Sequence, residues 1–253
     1  MHSRDLIEQY KTYVQDWRRY FHKHPELSNE EFETTKTLAK ELESMGVEVH
    51  VDEERGTGLI GIIHGAKPGK AIALRADIDA LPVQEHNTFD FKSDVDGKMH
   101  ACGHDGHMAI LLGAAKMLTA MKDRIEGDVY LAFQPAEETG AGAPDFMKFG
   151  DWFEKIDAIF GGHVWIDLPA GLISVEAGPR MAASSKITIN VKGKQGHGAQ
   201  PHQAVDAIVV ASAIVMNLQT VVSRNVSALD SLVITIGNIH SGSEWNVIPG
   251  EAQ

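Results

Sequence analysis

Apolar positions recur with a helical period at the start of the chain. Leu6, Tyr10, Tyr13, Val14 and Trp17 lie three and four residues apart, which predicts an opening helix over 4–20. Ser28-Asn29-Glu30-Glu31 has the form of a capping box, so a second helix is expected to run to a stop at Gly46. Apolar stretches at 47–51, 57–63 and 71–76 read as strands, the last set apart by the turn Ala66-Lys67-Pro68-Gly69. Helix and strand then alternate. A helix over 106–121 should bury Ile110, Leu111, Ala114, Met117, Leu118 and Met121; 128–133 and 156–160 read as strands, with a short helix at 144–149 between them. Such alternation implies an α/β fold with a mostly parallel central sheet and flanking helices.

The pattern changes near Met181. A strand at 186–191, a long helix within 201–222 and a strand at 232–236 follow, leading to Asn246-Val247-Ile248-Pro249. Two domains are expected, 1–180 and 181–253, the second with a thin core of its own.

Charge narrows the function classes. With 23 basic against 35 acidic residues the net charge is −12, and no basic footprint for nucleic acid or an anionic membrane is present. The first residues are charged and aromatic without an apolar signal core. The longest apolar run, 207–216, is too short to span a bilayer, and a single cysteine fits a cytoplasmic location.

That cysteine sits in the densest run of metal-ligand types, His100-Ala101-Cys102-Gly103-His104-Asp105-Gly106-His107. Three other sites share its placement at predicted strand ends. Arg75-Ala76-Asp77-Ile78-Asp79 closes one strand, Glu137-Glu138 another and His163 a third, while Cys102 and His104 precede a helix. In open α/β sheets sites form at carboxyl strand ends, so these residues are expected to converge. Cys102 as thiolate, His104 and His163 as imidazoles and Glu138 as carboxylate make a ligand set suited to zinc, with manganese or cobalt as alternatives. Asp77 or Asp105 is the candidate to orient a ligand histidine from behind. Glu137, beside a ligand, is the candidate general base toward a metal-activated water.

Each residue also has a bland reading: turn aspartates, a solvated acidic pair, a loop histidine, an inert core thiol. It is their joint position at successive strand ends that favours one site. A cysteine nucleophile at Cys102 paired with His104 or His107 is the rival chemistry, but it has no use for the other strand-end groups. The glycine-rich stretch 139–144 follows two glutamates, which would repel a pyrophosphate, and no G-x-S-x-G elbow occurs. His2, His22, His50, His64, His86 and His240 are assigned no functional role.

Seven ordered segments resemble the amidohydrolase branch of the aminoacylase and carboxypeptidase metallohydrolases, which includes hippurate, indole-acetyl-amino-acid and N-acetyl-diaminopimelate hydrolases. They are RRYFHKHPELSNEEFET (18–34), LRADIDALPVQE (74–85), MHACGHDGH (99–107), FQPAEETGAGA (133–143), GGHVW (161–165), GKQGHGAQPH (193–202) and NVIPGEAQ (246–253). The resemblance implies a zinc-exopeptidase-like catalytic domain and two divalent metal ions held by Cys102, His104, Glu138 and His163, with Glu137 as base. It implies that the region from 181 is an inserted α+β lid that forms a homodimer, with His197 reaching a partner's active site and Asn246 contacting substrate. Family chains continue beyond this point, completing the lid and adding a last histidine ligand, so a C-terminally truncated chain is expected. The implied activity is hydrolysis of N-acyl amino acids. A dipeptidase or carboxypeptidase, or a non-catalytic fragment that binds metal or dimerises, are the alternatives.

Overall fold

The computed structural model describes residues 3–253, so His2 lies outside the described residues. The chain divides into two compact units, residues 1–177 and 178–253.

In the first unit α1 (Ser3–Lys23) and α2 (Phe32–Ser44) precede β1 (Glu48–Val51), β2 (Leu59–His64) and β3 (Ile72–Asp77). Then come α3 (His104–Ala120), β4 (Asp128–Gln134), the short helices α4 (Gly142–Phe146) and α5 (Trp152–Lys155), and β5 (Ala158–Gly161). The sheet order is β1-β2-β4-β3-β5. β3 pairs in parallel with both β4 and β5, whereas β2 is antiparallel to β1 and to β4. Four strands thus run one way and β2 alone opposes them. One face packs Phe21, Leu38, Leu42, Leu59, Leu112 and Phe133 beneath the long helices; the other packs Ile60, Ala73, Tyr130, Phe146 and Trp152 beneath the short ones. Burial on both faces explains why β4 reads as a nearly continuous apolar run.

Three local expectations need correction. α2 starts at Phe32, and Ser28 does not cap it; the Glu26 carboxylate instead accepts the amide protons of Glu33 and Thr34, at 3.2 and 2.8 Å. The far end is as read: Gly46 has φ +76°, and amides of Gly46 and Val47 bond the carbonyls of Glu43 and Leu42, a Schellman stop. α3 begins at His104, two residues earlier than expected; Leu111 and Leu118 of the expected inward set do pack on the core, but the face is offset toward Met108, Leu112 and Ala115. Met108, Ala109, Leu111, Leu112 and Ala115 are buried and Ile110 is 55% exposed. Gly113 lets α1 approach α3 closely, since a Cβ there would meet Val14 Cγ2 at 2.5 Å.

The second unit holds β6 (Val191–Lys192), β7 (Gly196–His197), α6 (Ala207–Thr220), β8 (Val247–Ile248) and β9 (Glu251–Ala252). β6 pairs with β9 and β7 with β8, both antiparallel. Asp206 caps α6 by accepting from the amides of Ile208 and Val209. Of the strand expected over 186–191 only Val191 joins a ladder, and the strand expected over 232–236 does not form: residues 186–190 and 232–236 carry no ladder partner among the described residues, and alternation without a partner does not make a sheet. The long helix expected within 201–222 forms and continues through a π-turn to Asn225, so the apolar helix extends beyond the run at 207–216. Ala207–Asn225 is long and apolar enough to cross a membrane by length and composition, with mean hydropathy 1.5. Asn217, Gln219, Ser223 and Arg224 interrupt its second half.

Candidate metal centre

Because β3, β4 and β5 run in parallel, their carboxyl ends share one edge of the sheet. β3 delivers Asp77 and Asp79, β4 leads through Pro135 and Ala136 into a 3₁₀ turn carrying Glu137 and Glu138, and β5 leads to His163. Gly103 caps α3 in the left-handed region, φ +88°, and a Cβ there would lie 2.4 Å from Val164 Cγ2. The cysteine run therefore turns tightly under the β5 loop.

Both candidate ligand histidines present the same nitrogen. Buried His104 donates from Nδ1 to the Asp79 carbonyl, 2.8 Å away, so its Nε2 is left bare, with no hydrogen-bond partner. His163 donates from Nδ1 to the Val164 carbonyl, and its Nε2 lies 3.5 Å from Cys102 Sγ. A backbone acceptor behind one ring nitrogen is how a metal-binding histidine is usually held. Glu138 Oε1 is likewise buried and unpartnered, 3.8 Å from His104 Nε2. Two polar atoms that face each other out of water without a hydrogen bond are costly, and a cation held by both removes the cost. Cys102, His104 and His163 form one group whose ligand atoms lie within 4.8 Å of one another; His104, Glu137 and Glu138 form a second, and Asp77, His104 and His107 a third. His104 belongs to all three.

The electrostatics select among chemistries. Burial pushes the Cys102 thiol up to about 12, and Glu138, Glu137 and Asp77 add to the effect. That environment suppresses a free thiolate nucleophile, whereas a bound cation would favour the thiolate. Burial also raises Glu137; the nearby charges of Asp77 and Glu138 add to this, while His104 and Arg75 oppose it. A carboxylate lifted this way is a better proton acceptor. Burial acts to raise Asp77 too, but the His107 hydrogen bond and the Arg75 guanidinium outweigh it and hold the carboxyl down at about 2.

Several neighbours of the site had no assigned role. Asp79 is the hub: it accepts from Ser28 Oγ at 2.7 Å and from the Glu138 amide at 2.9 Å, besides holding His104. Glu31, fully buried, accepts from the Ala136 amide at 2.8 Å, and its carboxyl is raised to about 7 by burial. Ala136 sits at φ +54°, an uncommon conformation for a residue with a Cβ, and it aims the two glutamates. Asp105 faces away from these donors: His22 Nδ1 and Arg18 Nε bond it at 2.7 and 2.9 Å. Gly142 packs against the same turn, where a Cβ would fall 2.1 Å from the Pro135 carbonyl oxygen, while Gly140 serves the turn by its positive φ of +69°.

His197 and Asn246 are neighbours within the second unit. His197 pairs with Val247, and the Gly198 amide donates to the Asn246 carbonyl at 2.8 Å. His197 Nδ1 accepts from the Ala199 amide at 3.1 Å, which places the ring proton on Nε2.

An α/β sheet that gathers thiol, imidazole and carboxylate donors at its parallel strand ends has the architecture of a metal-dependent hydrolase. The comparisons make the assignment specific: residues 73–241 match the model of peptidase family M20/M25/M40, and the chain belongs to that family. It is 42% identical, over 98% of its length, to an N-acyl-L-amino acid amidohydrolase of Geobacillus stearothermophilus, of which it covers 67%. It is 44% identical, over 96% of its length, to an N-acetylcysteine deacetylase of Bacillus subtilis, of which it covers 64%. The Bacillus subtilis YXEP protein, described as a dinuclear metal-binding peptidase of the M20 family, superposes with a TM-score of 0.71 at 39% identity. That match covers 97% of this chain and 63% of the other. The chain thus spans about two thirds of the length of the relatives it matches.

Proposed function

We propose that the protein hydrolyses the amide bond of N-acyl amino acids with two divalent ions, held in part by Cys102, His104, Glu138 and His163, and with Glu137 as general base. The observation that carries this reading is the buried, unpartnered pair His104 Nε2 and Glu138 Oε1. The similarity to the amidohydrolase and the deacetylase supports the substrate class. Zinc suits the mixed sulfur, nitrogen and oxygen donors; manganese and cobalt are the alternatives.

Bound divalent ions supply Lewis acidity, which acidifies water and polarises an amide carbonyl. Glu137 takes the proton of the attacking water and returns it to the amine nitrogen as the carbon–nitrogen bond breaks. Asp79 holds His104 by its Nδ1 and the Glu138 turn by its amide, which fixes the angle between two donors. His197, with its proton on Nε2, acts as a donor to the tetrahedral oxyanion from the partner of a homodimer, and Asn246 beside it contacts substrate. The location is cytoplasmic.

The test is amine release from N-acetyl and N-benzoyl amino acids and from dipeptides, before and after removal of divalent ions. Turnover is expected only with metal restored, and Glu137→Gln should lower it by about 10³-fold while binding the same metal. Full turnover by the demetallated protein, or by Glu137→Gln, would overturn the mechanism.

A further inference from the structure

His107 lies one helical turn beyond His104 and is 5% exposed, within reach of the same cluster. Its position suggests a further ligand, grouped as it is with Asp77 and His104. Its bonds argue otherwise. Nδ1 lies 2.6 Å from Asp77 Oδ1, and Nε2 accepts the Val164 amide proton at 2.9 Å. An imidazole that accepts at Nε2 carries its proton at Nδ1, so that nitrogen donates to Asp77. Neither ring nitrogen has a lone pair left for an ion.

Those two bonds join separate pieces of the site. Asp77 is the last residue of β3 and is itself fixed by Arg75 Nη1 at 2.7 Å. Val164 follows His163 in the loop after β5, and its side chain lies over Gly103. The His107 and His163 rings meet edge to face, with centroids 4.6 Å apart. His163 itself is exposed and bonded only to its own loop carbonyl and the thiol. Without the Val164 amide bond, no hydrogen bond among the described residues ties the His163 loop to the helix or the sheet at this point.

We propose that His107 is a positioning residue: it bridges the Asp77 carboxylate to the Val164 amide and so holds the His163 imidazole in register with Cys102 and His104. The inference rests on the metal-site reading above. It assigns the third histidine of the run to holding the β5 loop, and leaves the ligand role within the run to Cys102 and His104.

Cobalt(II) titration of the chain separates the possibilities. Wild type should develop a thiolate-to-cobalt charge-transfer absorption; if none develops, the metal-site reading falls, whatever His107 does. His107→Ala should keep that absorption, since Cys102 and His104 remain, but weaken cobalt binding by about 10–100-fold, the usual loss when a group behind a ligand is removed. His107→Gln supplies a carbonyl acceptor for Val164 and an amide donor for Asp77, and is expected to restore most of the affinity. Wild-type affinity in His107→Ala, or no rescue by glutamine, overturns the proposal. Should the alanine variant fail to fold, nitrogen NMR of the ¹¹³Cd-loaded wild type decides instead. Cadmium coupling is expected at Nε2 of His104 and His163 and not at His107; coupling to either His107 nitrogen makes it a ligand and ends the proposal.

Discussion

Two buried polar clusters flank the first turn of α3, and they are built on opposite terms. His104 faces a set of donors that lack hydrogen bonds: its Nε2 and Glu138 Oε1 are unpartnered, and carboxylates crowd the thiol. Asp105, the next residue, faces a network in which the charges are matched. His22 lies between Asp105 and Glu85, at 2.7 and 3.2 Å, Arg18 bonds Asp105, and Glu85 also accepts from Asn87 and the Ser93 amide. Burial is nearly complete for His22, Asp105 and Glu85, so exposure does not distinguish the clusters. Satisfaction does. The first leaves His104 Nε2 and Glu138 Oε1 without hydrogen-bond partners, as a cation-binding pair would be, whereas the second bonds its charges to one another.

The strongest way to break this comparison is to remove one member from each side. His22→Ala leaves two buried carboxylates short of their cation, and loss of one partner from a buried pair costs about 3–5 kcal/mol. The metal-free variant should therefore melt well below wild type, yet keep any stabilisation by cobalt. Glu138→Gln takes one negative charge out of a repulsive cluster, so the metal-free protein should be as stable as wild type or slightly more so. It should lose the stabilisation by cobalt, about 2.7 kcal/mol at a hundredfold excess over Kd for wild type. Thermal melts with and without cobalt read all four values. Equal losses in the metal-free variants would erase the distinction.

A second effect, smaller and tied to pH, sharpens it. Burial alone lowers the His22 pKa, but its bonds to Asp105 and Glu85 outweigh burial and the net shift is upward. The stabilisation it brings is full below the free-histidine value, about 6.5, and is lost as pH rises through the higher folded value. For Asp105 and Glu85 burial acts to raise the pKa, and their hydrogen bonds hold both carboxyls low. Their contribution is present above the free carboxylate values, about 4, and is lost as pH falls through the lower folded ones. The two conditions overlap between about pH 4.5 and 6.5. The stability difference between metal-free wild type and His22→Ala should be largest in that window and shrink toward pH 9. A difference that grows steadily with pH would show that His22 is neutral in the folded protein.

What could be read from the residues follows the same line. The main helices, the parallel strands and the gathering of Cys102 and His163 around His104, with Glu137 and Glu138 on its other side, were legible because they depend on periodicity and on where strands end. Partners brought from far along the chain were not. Ser28 has the sequence signature of a cap but bonds Asp79, 51 residues away, while the true cap of α2 is a glutamate from the preceding loop. Glu31 meets Ala136 across 105 residues, and His22 meets Asp105 across 83. Nothing in a string of letters distinguishes a solvated histidine from one buried between two carboxylates. The inward face of α3 was only partly legible for a related reason: apolar residues surround that helix, and only packing decides that Leu111 is buried and Ile110 left outside.

The smallest expected effect lies at the turn that aims the two glutamates. Ala136 holds a left-handed backbone, which costs an L-residue roughly 1–2 kcal/mol relative to glycine. Its methyl is buried, and deleting it forfeits about 0.8 kcal/mol. Ala136→Gly should therefore change stability by no more than about 1 kcal/mol, in the stabilising direction if the backbone term prevails. The alanine must then owe its place to stiffness, since glycine would free the turn to other conformations. Denaturation should show little change while cobalt affinity falls severalfold. A glycine variant that binds cobalt as wild type does would mean that Glu31 and Asp79, through the amides of Ala136 and Glu138, fix the turn without help from its backbone preference.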